Sequence, residues 1–228
     1  MTTNKDLQSH FSTNSTAKTA SLLAAAAAII FSLLLGVVLI HGISQQYFEL
    51  VHSPEKYTEE IREHSRELNL IFIFDNIFII LYTSMAFFTI KTLRHNAPYF
   101  VSVLGYILIL AVAILDFLEN AHIYTLMHQA KNGLAVSAAD INWQSTESLM
   151  KWYMAYFAFF MLGFLVPANN LVEKILKYSL WFLFLPIGVL LYAAVDTRYE
   201  SLFQWLRFIN LLSGFVLIWF IMRKMSRK

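Results

Sequence analysis

The feature that most constrains this chain is a series of six apolar runs, at about 20–43, 69–89, 98–126, 145–166, 175–195 and 201–222. Each is near the ~20 residues that a helix needs to cross a hydrocarbon core of ~30 Å. Within that core no water is available to bond backbone N–H and C=O groups, so a spanning segment of this length satisfies them internally, as a helix. The expected fold is therefore all-α, an integral membrane bundle of six transmembrane helices. Composition agrees, since only 14% of the residues are charged, against ~25% in ordinary soluble domains. The chain has no cysteine, which excludes a disulfide framework, a thiolate metal site and a cysteine nucleophile. A formal net charge of +2 gives no footprint for nucleic acid.

Residues 1–19 are polar and lack an apolar period, and are expected to form a disordered tail; 224–228 form a short basic tail. The first span is too long for a signal-peptide core and is read as a retained helix. Its Ala20, Ala24, Ala28, Ser32 and Gly36 repeat every four residues as a small-residue packing stripe. Between the first two spans, Ser53-Pro54-Glu55 has the form of a helix start, with Ser as N-cap and Pro at the first helical position. Tyr57, Ile61, His64 and Leu68 then share one side, which predicts a short amphipathic helix at the membrane surface. Placing both termini in the cytoplasm puts ten Lys and Arg residues inside and five (Lys56, Arg62, Arg66, Lys131, Arg198) outside. That asymmetry is the positive-inside pattern, and it predicts a multi-pass protein of a bacterial-type inner (plasma) membrane.

Ionisable groups at membrane depth are costly and mark functional sites. The third span carries Asp116, Glu119 and Asn120 at i, i+3 and i+4, on one helical face with Ser102, Gly105, Ile109, Val112 and Ala113. Asp75 and Asn76 lie in the second span, Lys151 in the fourth and Arg207 in the sixth. In the cytoplasmic-termini orientation all approach the outer half of the bundle. Three acids there face two bases, so one carboxyl, assigned to Glu119, is expected to hold a proton. Glu147 and Lys151 stand at i, i+4 in the acid-before-base order that favours pairing.

Glu119 and His122 form a Glu-x-x-His pair, the spacing of di-iron bundles, but no second copy is present. They remain the candidate metal ligands, with His41, His52, His64 and His128 also toward the outer side. Histidines at span ends do not suit bis-histidine haem, and the last span offers Arg207 where retinal would need a lysine. No cofactor is assigned. Trp143, Trp152, Trp181, Trp205 and Trp219 fall mostly near span ends, as interfacial anchors do.

Asp75 with Tyr82, then Asp116-x-x-Glu119-Asn120, then Ser148-x-x-Lys151-Trp152 resembles a pattern in multi-pass membrane proteins of bacteria and fungi that have no established activity. The resemblance spans the second to fourth helices and implies that Asp75, Asp116, Glu119, Asn120 and Lys151 share one site. Two functions fit these residues. One is a binding site or relay for a proton, a cation or a small polar molecule, as in a transporter. The other is an intramembrane enzyme acting on a lipid head group, with Asp116 or Glu119 as acid–base and Lys151 as charge stabiliser. A structural or partner-binding role is the third reading.

Overall fold

The computed structural model describes residues 4–195 and 197–227, with side-chain surroundings from residue 14 onward. Among the described residues there is no strand, and the helices are α1 (Asn4–His41), α2 (Gln45–Phe48), α3 (Pro54–Glu63), α4 (Ser65–Leu93), α5 (Tyr99–Lys131), α6 (Ala138–Leu165), α7 (Leu171–Phe182), α8 (Phe184–Ala193) and α9 (Glu200–Met225). Six segments are long and apolar enough to cross a membrane: Asn14–His41, Ser65–Asn96, Tyr99–Lys131, Ala138–Leu165, Leu171–Ala193 and Glu200–Met225.

The spans are longer than their apolar runs because local signals set their ends. Gly133, at φ 79°, follows the last turn of α5, a conformation that glycine adopts without a Cβ penalty. Ser137 and Asp140 then form a capping box that starts α6 seven residues ahead of its expected start at Ser145. Most of the segment 127–144, expected to be a loop, is thereby helical. Residues 4–19, expected to be disordered, continue α1; Ala17 and Ala20 are fully buried, and the Thr92 hydroxyl donates to that of Thr16 at 3.4 Å. Residues 1–3 and Lys228 of the two expected tails lie outside the described residues.

The fifth span divides at Leu183 into α7 and α8. Pro186 is the cause: it has no N–H to offer the carbonyl of Phe182, four residues earlier.

Each span packs on its neighbours in the chain, and α9 returns to α1, so the six close a ring. Outward faces are apolar and exposed, as at Ile40, Ile73, Ile107 and Phe220, which is the surface that lipid requires. The α5 face turns inward as its spacing predicts, with Ser102, Gly105, Ile109, Val112, Ala113, Glu119 and Asn120 all buried. The α1 stripe differs from expectation. Its buried line is Ala20, Ala24, Ala27, Phe31, Leu34 and Val37, while Ser32 is exposed. A strict four-residue repeat drifts about 40° per step around a helix of 3.6 residues per turn, so alternating steps of three and four hold the face better.

The ring has one end that carries both termini and another that is covered by residues 43–63. Ser53 caps α3 by accepting from the Lys56 amide. Tyr57 and Ile61 are fully buried, and α3 packs on α5, so its apolar side is covered by protein.

Candidate functional site

The site is assembled where the segment after α1 folds back into the open end of the ring. Ile43, Phe48 and Leu50 are buried there and anchor the segment, and this carries the Glu49 carboxylate inside, where it is only 3% exposed. Non-spanning backbone is tolerated at such a place because protein surrounds it.

Lys151 on α6 is the hub. Its Nζ lies 2.7 Å from Glu119 Oε2, 3.0 Å from Asp116 Oδ1 and 3.1 Å from Glu49 Oε1. The other Glu49 oxygen, Oε2, accepts from Trp152 Nε1 at 2.7 Å and pairs with Arg207 Nη2 at 3.1 Å. The Arg207 guanidinium also lies 3.9 Å from the centre of the Trp152 ring, a cation–π contact that is strongest when desolvated. Burial raises the pKa of Glu49, but Lys151 and Arg207 outweigh it and hold that pKa down to about 2. Tyr57 lies over the cluster with its hydroxyl donating to the Phe48 carbonyl. Burial, and then the Glu119 carboxylate, push its pKa up, so this hydroxyl stays neutral.

A second set of bonds fixes the acids of α4 and α5. Tyr82 donates to Asp116 Oδ2 at 2.6 Å. Asn120 donates through Nδ2 to Asp75 Oδ2 at 2.7 Å and to Asn76 Oδ1 at 3.1 Å, and its own carbonyl accepts from Gln45 at 2.5 Å. Among the described residues no cation forms an ion pair with Asp75.

The residues singled out thus gather at one end of the ring in two bonded sets, Asn120 with Asp75 and Asn76, and Lys151 with Asp116, Glu119 and, through Glu49, Arg207, while His122 and Glu147 stand apart. The correction concerns pairing. Glu147 does not reach Lys151; its Oε2 lies 2.8 Å from His122 Nδ1. His122 and Glu119 therefore diverge, and among the described residues no group of three His, Asp or Glu side chains is placed to hold a metal ion. Arg207 reaches Lys151 and its acids through Glu49, a residue that sequence reasoning left in a polar interval. Its one local signal is apolar company: Phe48, Leu50 and Val51 flank it, whereas the acids of 55–67 have charged neighbours. Trp152 is a site residue that is 8% exposed, and serves as partner to Glu49 and Arg207.

With Glu49 included, four carboxylates (Glu49, Asp75, Asp116, Glu119) meet two bases (Lys151, Arg207). Asp75, Asp116, Glu49 and Lys151 also stand on the wall of a cavity inside the ring, about 160 Å³ in volume. Glu119 is fully buried and does not line it. Of the carboxylates on the cavity wall, Asp75 is the one with no cationic partner among the described residues. No family model, curated protein or solved structure matches the chain.

Proposed function

We propose that this membrane protein binds a proton or a cation inside the bundle, as the binding step of transport. The observation that carries this reading is the charge balance of the carboxylates and bases gathered at one end of the ring. Four carboxylates against two bases leave two negative charges, and Asp75, on the cavity wall, has no cationic partner among the described residues. Desolvated charge of this kind requires neutralisation. A proton or a bound cation at Asp75 supplies one of the two charges, while Lys151 and Arg207 hold the remaining acids in place. The Lys and Arg distribution supports an orientation with both termini in the cytoplasm of a bacterial-type cell, in which the site would lie in the outer half of the bundle. A reporter fused after Lys228 tests that orientation, and its export would reverse it.

The binding test is thermal stability of the purified protein in zwitterionic nanodiscs, against sodium and tetramethylammonium ions and against pH. A ligand that binds only the folded state raises stability by mass action. The wild type should be stabilised by cation or proton, and Asp75→Asn, which retains an acceptor for Asn120, should lose that response while remaining folded. Equal responses of the two proteins would remove Asp75 from the reading.

A further inference from the structure

The cavity carries information beyond the charge of its ligand. Its polar lining is confined to one end, where Glu49, Asp75, Tyr82, Asp116 and Lys151 stand. From there the walls are apolar, and they reach Ile90 on α4 and Gly105 on α5, toward the end with the termini. Asp75 and Ile90 are 15 helical steps apart, about 22 Å at 1.5 Å per residue. That is most of the ~30 Å hydrocarbon thickness and comparable to an extended alkyl chain.

A hydrated ion fits neither the length nor the chemistry of this shaft. Apolar cavities hold water poorly and take apolar guests. Phe31, Phe78 and Phe215 line it next to the charged end, with ring centres 5.2–6.2 Å apart. Gly214 on the same wall leaves room, since an added Cβ would meet only Phe184 Cζ, at 3.8 Å. One end of the cavity thus requires positive charge and the rest requires hydrocarbon.

We infer that the ligand is a single-chain amphiphile with a cationic amine head, seated with its ammonium group at Asp75 and Asp116 and its chain along the shaft. This rests on the reading of the cluster as a cation site and adds the chain to it. The ammonium group would supply one of the two missing charges and donate hydrogen bonds to carboxylates already held by Asn120 and Tyr82. Removal of the chain from water or from the bilayer needs no further polar partner.

The test uses the full chain in zwitterionic nanodiscs and four probes: dodecylamine, dodecanol, dodecanoate and tetramethylammonium. Binding is read by native mass spectrometry and by the shift in unfolding temperature. Dodecylamine should bind about tenfold or more tightly than the alcohol or the carboxylate, the discrimination of one additional ionic contact. Asp75→Asn should erase that preference. Gly214→Leu, which fills the shaft where there is room, should abolish dodecylamine binding while leaving any tetramethylammonium response as in the wild type. If tetramethylammonium stabilises the wild type as strongly as dodecylamine, or Gly214→Leu binds dodecylamine unchanged, the cation site stands and the amphiphile is wrong. If dodecanoate binds best, or if no amine distinguishes the wild type from Asp75→Asn, the cation site itself is overturned and the amphiphile with it.

Discussion

At the covered end of the ring, Glu49, Lys151 and Arg207 join the segment after α1 to α6 and α9 through charge. Toward the end with the termini, α6 meets α7 through shape, as Gly163 receives the edge of the Trp181 indole, whose N–H donates to the Phe160 carbonyl at 3.1 Å. The two contacts would fail differently. Loss of a partner at the charged end leaves an uncompensated ion in a desolvated place, a cost of about 3–5 kcal/mol. An added atom at the close-packed contact forces neighbours to shift, at about 1–3 kcal/mol. The charged end is thus the more demanding one, and its acid excess and cavity fit a binding role that the tight contact does not share.

The largest expected effect is that of Lys151→Met, which leaves Glu49, Asp116 and Glu119 without their common base. Destabilisation of about 3–5 kcal/mol is expected, with partial recovery when Glu119→Gln is added, measured by unfolding titration in mixed micelles. Strict additivity of the two substitutions would show that the charged end is not a coupled unit.

Acid should separate the two regions next. The Glu49 pKa is lowered from 4.5 to about 2 in the folded protein. Its stabilisation is therefore complete above pH 4.5 and is lost as pH falls toward 2, by on the order of 3 kcal/mol. Unfolding curves across that window should fall for the wild type and lie flatter for Glu49→Gln, whereas Gly163→Ala should keep the wild-type slope. Parallel slopes for wild type and Glu49→Gln would detach Glu49 from the network.

Gly163→Ala itself should cost about 1–3 kcal/mol, because its Cβ would overlap Trp181 Nε1 and lie 2.6 Å from Cδ1. Trp181→Ala in the same chain should make the glycine replaceable without further loss. A neutral Gly163→Ala in the wild-type background would mean that shape is not what holds α6 to α7.

The smallest effect belongs to His122 and Glu147, a 2.8 Å pair whose side chains are 20% and 24% exposed. Partial solvation places its coupling below about 1 kcal/mol. A double-mutant cycle of His122→Gln and Glu147→Gln that exceeded the Lys151–Glu119 coupling would invert the comparison.

Sequence by itself determined the six spans, the all-helical class and the inward face of α5, because each rests on residues within a few turns of one another. The hydrocarbon length of a run and the 3.6-residue period of a face are local quantities. The same locality made Asp75, Asp116, Glu119, Lys151 and Arg207 legible as costly groups, but not their pairing. Lys151 turned from its helical neighbour Glu147 toward three acids on other segments, the nearest of them 32 residues away in sequence, since the ring encloses one face of α6 and leaves the other outside. Only the tertiary structure decided that Glu49 is inside, because its burial depends on the segment that follows α1 folding back between helices that are distant in sequence. The cavity was decided in the same way. A void belongs to no residue, and exists only where faces of all six spans fail to meet.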